Sequence, residues 1–349
     1  MNIKSLLLGS AAALAVVSGA QAADAIVAAE PEPVEYVRVC DAYGTGYFYI
    51  PGTETCLKIE GYIRFQVDVG KDQSDHGVIN GHEGTSDWDA FTRGQVQFTA
   101  KSDTEYGPLT GVIVLQHNAD AANSAYQNSI LDSAYIDIAG FRAGLFYSWW
   151  DDGLSGETDV LASHETLHNS IRYQYESGDF YAGISVDELE DGHFNDDENP
   201  NNVGVALGLG GKAGAFTYQV IGGYDTDNEE GAIRAMGTVA VGPGTLGLAA
   251  VWASGGNSYY DASEWTIAAE YAIQATDKLK ITPGAQYFFN YGFEDGSTTD
   301  FSSDDAWKVG LTVDYQITDN FYAKASVQYL DGDDIDDQTQ GYFRLQRAF

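Results

Sequence analysis

From Leu57 the chain reads LKIEGYIRFQVDV, an apolar–polar alternation sustained through Val69. Leu57, Ile59, Ile63, Phe65, Val67 and Val69 share one parity; Lys58, Glu60, Tyr62, Arg64, Gln66 and Asp68 share the other. Successive side chains of a strand point to opposite faces, so this segment predicts a strand with one apolar and one strongly charged face. A soluble sandwich would turn the charged face to bulk water, whereas a membrane barrel would turn it to a water-filled lumen. One strand does not separate the two.

Repetition does. Ala90 to Ala100 sets Arg93, Gln95 and Gln97 against Val96 and Phe98, and Phe141 to Tyr147 sets Arg142 against Phe141, Ala143 and Leu145. Ile171 to Tyr175 sets Arg172 and Gln174 against Ile171, Tyr173 and Tyr175. The same rhythm recurs down the chain to Phe343–Phe349, giving about sixteen strands of roughly ten residues, a length that suits a tilted membrane-spanning strand. Short turns such as Ala139-Gly140 and Gly242-Pro243-Gly244 alternate with long acidic links at 70–87, 149–167, 188–202, 292–303 and 331–338. A Greek-key sandwich would not keep that rhythm. A 16-stranded antiparallel transmembrane β-barrel would, with short periplasmic turns and long external loops. Closure is required because an open sheet edge in lipid leaves backbone groups unpaired.

The first residues predict export. Lys4 precedes an apolar run from Leu6 to Val17, and Ala20-Gln21-Ala22 offers a cleavage site, so 1–22 is expected to be a signal peptide. The run is too short to cross a bilayer, where about 20 residues are needed. Residues 23–56 read as a periplasmic leader, and its Cys40 and Cys56, in an oxidising compartment, are expected to form a disulfide. Closing that loop would contribute on the order of 3 kcal/mol. The barrel then occupies 57–349. A formal charge of −35 excludes nucleic acid as a partner. Catalysis finds little support: there is no G-x-S-x-G elbow, and His164 and His168 straddle a loop–strand junction rather than forming a zinc signature. The acidic run DGDDIDD at 331–337 lacks the Gly and terminal Glu of a calcium loop, so no metal or cofactor is expected. Acidic clusters such as Asp225 to Glu230 and Asp331 to Asp337 are expected in long external links, where they serve solvation, with divalent bridging to anionic lipid and lipopolysaccharide as the sharper reading.

Two segments carry a family resemblance. VEYVRVCDAYGTGYFYIPGTETCLKIEGYIRFQ, Val34 to Gln66, resembles the opening of the alphaproteobacterial porins of the Rhizobiales type, and GYFRLQRAF resembles their last strand. The terminal Phe349 resembles the signal read by the outer-membrane assembly machinery. The resemblance implies an outer-membrane location and a homotrimer of water-filled, sixteen-stranded channels for small hydrophilic solutes and ions. It also implies that the third long external loop folds inward. Counted from the N-terminus, that loop is 149–167, WWDDGLSGETDVLASHETL, which carries acids but no Lys or Arg.

Parity supplies the expected pore chemistry. Arg64, Arg93, Arg142 and Arg172 all project to the polar face, and Arg at mid-bilayer on the lipid face would cost roughly 2–4 kcal/mol. Arg234, Lys308, Lys324 and Arg344 add charge more sparsely. The arginines are either structural partners of lumen carboxylates such as Glu60, Asp68 and Asp137, or one wall of a constriction facing Asp151, Asp152, Glu157 and Asp159 of the inward loop. In the second case, acid around the mouths predicts a weak cation preference. The competing function is a surface adhesin whose loops bind a partner over a closed lumen.

Overall fold

A computed structural model describes residues 38–73, 86–119, 128–163, 165–189 and 202–349. The expected signal peptide, residues 23–37 of the leader, His164 and most of the links 70–87 and 188–202 lie outside the described residues. The strands are β1 Phe48–Tyr49, β2 Cys56–Gln73, β3 Ser86–Thr104, β4 Gly107–Ala119, β5 Asn128–Ile138 and β6 Phe141–Tyr147. They continue as β7 Leu167–Ser177, β8 Phe180–Leu189, β9 Asn202–Ala213, β10 Phe216–Asp225, β11 Glu230–Val241 and β12 Gly244–Ala253. The last five are β13 Ser263–Thr276, β14 Leu279–Tyr291, β15 Ala306–Thr318, β16 Phe321–Gly332 and β17 Ile335–Ala348.

Each strand from β2 to β17 pairs antiparallel with its chain neighbours, and β17 pairs with β2. Setting aside the two-residue β1, which lies beside the start of β2, the sheet is a closed barrel of 16 strands. The seam is completed at the C-terminus: Phe349 N donates to Gly61 O at 3.0 Å, and Gly61 N donates to Phe349 O at 3.2 Å. Every ladder partner a lipid environment withholds is thereby supplied by the next strand.

The alternation sets which face each side chain takes. Ile63, Phe65, Ile113, Ile171, Leu207 and Ile267 stand exposed on the outer wall. Gln66, Gln116, Arg172, Gln219, Thr266 and Gln286, of opposite parity, are buried inside. An outer surface so rich in exposed aliphatic and aromatic residues is intolerable in water and natural in hydrocarbon.

Seven links, at 105–106, 139–140, 178–179, 214–215, 242–243, 277–278 and 319–320, are two-residue turns on one end of the barrel. The opposite end carries the longer links, with two corrections to expectation. Asp331 to Asp337 is not a long loop, because β16 and β17 run on as a hairpin turning at Asp333-Asp334. Asp225 to Glu230 likewise narrows to four residues, 226–229, between β10 and β11. Both are runs of acidic residues whose composition resembles a loop, yet the ladders run into them, to Asp225 opposite Glu230 and to Gly332 opposite Ile335.

At the short-turn end, Cys40 and Cys56 are disulfide-bonded, with Cα atoms 6.0 Å apart. Tyr47 is buried with the bridge, and Tyr43 and Tyr49 pack against it. The Tyr43 hydroxyl donates to Asp103 Oδ1 at 2.6 Å, and Lys101 Nζ lies 5.8 Å from the Tyr43 ring centre. The segment is therefore a small cap resting on the ends of β2 and β3. Cys56 itself opens β2, so the leader and the barrel share a residue rather than a boundary. Replacing both cysteines by Ser should release the cap, at a cost on the order of 3 kcal/mol, without opening the barrel. Proteolytic cleavage within 40–56 should rise while the heat resistance of the folded barrel is unchanged. Collapse of the barrel would contradict this.

Candidate functional site

The link between β6 and β7, residues 148–166, does not stand above the barrel. Ser148 Oγ accepts from Trp150 N at 3.1 Å, and a single 3-10 turn over Trp149–Asp151 swings the chain into the lumen. The two tryptophans then seat on the inner wall. Gly208 of β9 and Gly183 of β8 leave the space: a Cβ at Gly208 would lie 2.7 Å from the Trp149 ring. Trp149 Nε1 donates to Gln174 Oε1 at 3.0 Å. Trp150, 1% exposed, and Leu161 pack with Ala206, Ile221, Ala232, Ala249, Val251 and Ala268, all inward positions of β9 to β13. A buried tryptophan removes some 150–250 Å² from water, so each contributes roughly 4–6 kcal/mol before entropy. The lumen on this side is an apolar core.

Arg234 of β11 ties the loop's two arms together. It is 0% exposed. Nη2 donates to Trp149 O at 2.8 Å, and Nη1 to Trp150 O at 3.0 Å and Leu161 O at 3.2 Å. Gln219 Oε1 accepts a further bond from Nη2 at 2.9 Å. One planar guanidinium thus satisfies carbonyls on both the descending and the returning strand of the loop.

Beyond it, side chains of successive strands take the loop's backbone. Glu270 of β13 accepts from Ser155 N and Gly156 N, each at 2.7 Å. Gln286 of β14 accepts from Val160 N at 2.7 Å and donates to Val160 O at 2.8 Å. Thr312 of β15 accepts from Glu157 N at 3.1 Å, and Gln328 of β16 donates to Glu157 O at 3.0 Å. Lys324 Nζ meets Glu157 Oε1 at 2.7 Å. The loop therefore lines the wall from β8 to β16; among the described residues no hydrogen bond joins it to β17 or to β2 to β5, although Glu157 lies beside Tyr342 of β17.

All four expected arginines face the lumen, but among the described residues none forms an ion pair with the loop acids. Arg64 Nε donates to Gln346 Oε1 at 2.9 Å, and Arg93 Nε to Asn118 Oδ1 at 2.7 Å. Arg142 forms an ion pair with Asp137 at 2.8 Å, the structural partnership its parity allowed. Arg172 lies over the Trp149 ring at 4.0 Å and the Phe146 ring at 4.7 Å, at the root of the loop rather than across from it. Arg64 and Arg93 are direct cross-strand partners, as are Lys324 and Arg344. Like charges set opposite one another destabilise a sheet, so this basic stripe over β16, β17, β2 and β3 is not explained by stability.

The acids divide. Asp151 and Asp152 are exposed, accepting from Thr166 Oγ1 at 2.8 Å and Gln219 Nε2 at 2.6 Å. Glu157, at the tip, is held by Lys324. Asp159 turns back to accept from Leu154 N at 3.3 Å, and burial pushes its carboxyl above the ordinary carboxylate range, with Glu270 adding to the rise. Parity found the lumen residues; it could not single out Arg234, Glu270, Gln286 or Gln328, whose partners lie 73 to 171 positions away in sequence. A signal was present in hindsight: uncommon polar side chains at mid-strand among inward alanines and glycines.

Replacing Arg234 by Met keeps the bulk but takes the side-chain donor from the Trp150 and Leu161 carbonyls and one of two donors from Trp149 O, which should cost roughly 3 kcal/mol. A red-shifted tryptophan emission and faster cleavage within 152–163 are the expected readouts. Unchanged emission would remove Arg234 from its role as anchor.

Comparison with known proteins agrees with the barrel fold. The chain is 67% identical to outer membrane protein IIIA of Rhizobium leguminosarum bv. viciae, over 98% of this chain and 93% of that one. It is 32% identical to porin Omp2b of Brucella suis over the full length of both. The outer membrane channel DcaP of Acinetobacter baumannii shares the fold, with a TM-score of 0.63 at 12% identity over 86% of this chain and 99% of that one. The family model described as the Porin subfamily matches residues 24–345, and the chain belongs to that family: it is an outer-membrane β-barrel porin rather than an enzyme.

Proposed function

We propose that the protein is a passive diffusion channel for small hydrophilic solutes and ions, narrowed by residues 148–166 and weakly cation-preferring. The observation that carries this is the asymmetry of the lumen. A loop bearing Asp151, Asp152, Glu157 and Asp159 covers the wall from β8 to β16, and the uncovered wall carries Arg64, Arg93 and Arg344. The space between them is bounded by acid on one side and base on the other. A transverse field of that kind orders dipolar solutes and separates the paths of cations and anions. Within the constriction the two signs nearly balance. The mouths decide the net preference: the chain as a whole carries 52 Asp and Glu against 17 Lys and Arg, and the acid gathered in the links raises the local cation concentration over a Debye length of about 8–10 Å.

A lumen lined by Gln, Thr, Ser, Arg and Lys favours this reading over an adhesin with a closed barrel. The assembly is a homotrimer in this reading, with small outward residues such as Ala323 and Ala325 compatible with close barrel packing. The exposed terminal Phe349 is the recognition signal for the assembly machinery.

In a planar bilayer under a salt gradient, the reversal potential should carry the sign of weak cation preference; anion preference would reject it. Neutralising Asp151 and Asp152 as Asn should shift the potential toward anions, and no shift would remove them from the constriction. The preference should also weaken in mildly acidic solution. Asp159 takes up its proton at a higher pH than a solvated carboxylate, so the loop loses a negative charge as pH falls through that raised value. The same titration in an Asp159→Asn variant should be flatter.

A further inference from the structure

The link between β12 and β13, residues 254–262, is a second segment turned into the barrel. Asn257 Oδ1 accepts from Tyr259 N at 3.1 Å and Tyr260 N at 3.2 Å, closing a tight turn. Asp225 Oδ2 holds that turn from β10, accepting from Ser258 N at 3.1 Å and Ser258 Oγ at 2.7 Å. Tyr259 is thereby driven down into a socket, where it is 0% exposed.

The socket is specific. Its floor is Asp187 of β8, whose Oδ2 accepts from the Tyr259 hydroxyl at 2.8 Å while Oδ1 accepts from Ser170 Oγ at 2.6 Å and Ser185 Oγ at 2.5 Å. Its sides are Trp150 and His168, each with its ring centre 6.0 Å from that of Tyr259. Its space comes from two glycines. A Cβ at Gly223 would lie 2.4 Å from the ring, and one at Gly204 would lie 2.2 Å from the hydroxyl oxygen. Burial, with Asp187 beside it, pushes the phenol far above its ordinary range, so it remains a donor at any pH the barrel meets.

This residue does nothing for closure of the barrel. The β12–β13 ladder ends at Trp252 and Trp265, before the link begins. What it touches is the inward loop. Its ring covers Trp150, Tyr259 O accepts from Ser163 N at 3.0 Å, and Ser258 O accepts from Ser163 Oγ at 2.7 Å. Arg234 holds the loop from below and Tyr259 from above, with Trp150 between them.

We infer that Tyr259 is a positioning residue of the channel: a latch by which the 254–262 link locks the 148–166 loop, so that the aperture is set by two segments rather than one. The inference rests on the channel reading and adds to it the residue that keeps the passage at a fixed width. A buried hydroxyl bonded to a carboxylate, on a ring packed against the loop's own tryptophan, is an anchor that truncation removes outright.

The test is single-channel recording of the full-length protein with graded neutral solutes, alongside protease cleavage within 148–166 as a readout independent of current. Tyr259→Ala should raise the frequency of excursions to other conductance levels about tenfold, the effect of some 1.4 kcal/mol on the latch equilibrium, and should admit larger solutes. Tyr259→Phe should give an intermediate effect, since it keeps the ring and loses only the bond to Asp187. A Ser163→Cys/Ser258→Cys crosslink added to Tyr259→Ala should restore quiet current and the original size limit, which a general loss of stability would not allow. Wild-type noise, size limit and cleavage rate in Tyr259→Ala would overturn the latch. A wild-type protein that carries no current would count against the channel reading instead, and the cleavage rates would still decide the latch.

Discussion

A backbone crossing hydrocarbon has no water to bond with, so every N–H and C=O of every strand must find a partner in the protein. The rest of the molecule follows from that requirement. It compels the sheet to close, and closure occurs between β17 and β2, continued by Phe349 and Gly61. Once the sheet is closed, the alternation of side chains becomes a division between lipid and lumen. The chain can then place Arg and Lys inside at no penalty beyond their mutual repulsion. The two-residue turns on one end and the longer links on the other are what a closed antiparallel ribbon leaves over.

Inside, a second organisation is laid over the first. Inward positions of β9 to β13 include many small residues, Gly204, Ala206, Gly208, Gly223, Ala232, Ala249 and Ala268 among them. They would leave a void if the lumen were merely water-filled. Trp149, Trp150, Leu161 and Tyr259 occupy that space instead. The barrel thus has a dry half with a core like that of a soluble protein, and a wet half lined by charge. In the proposed channel the inward loop is the partition, and its acids and the basic stripe of β16, β17, β2 and β3 border the same water.

Much of this was legible in the sequence. The run from Leu57 to Val69 was enough to orient Arg64 and Asp68 inward, and the recurrence of the pattern gave the barrel and placed 149–167 as its third long link. The acidic stretches at 225–230 and 331–337 misled, because an acidic composition does not mark the end of a ladder; β16 and β17 continue into the acids and turn at Asp333-Asp334. The pairing of loop with wall was not legible. Periodicity reports which face a residue takes, and is silent on which distant residue it meets across the lumen. Arg234 and Arg93 look alike by parity, yet one is sealed beneath tryptophans and the other borders water. The same limit made the loop acids look like partners of four arginines, when the wall supplies Lys324, Gln219 and backbone amides first.

The central claim is that conduction runs between the inward loop and the bare wall of β17, β2 and β3, while the β9–β13 side is dry. Cysteine accessibility tests it most directly, because the two native cysteines are joined to each other. Single substitutions Arg64→Cys and Arg344→Cys should react with a charged, water-soluble thiol reagent and change the single-channel current in steps. Ala249→Cys and Ala268→Cys, beneath the loop, should stay unreacted. Rapid labelling at 249 and 268 with protection at 64 and 344 would contradict the account.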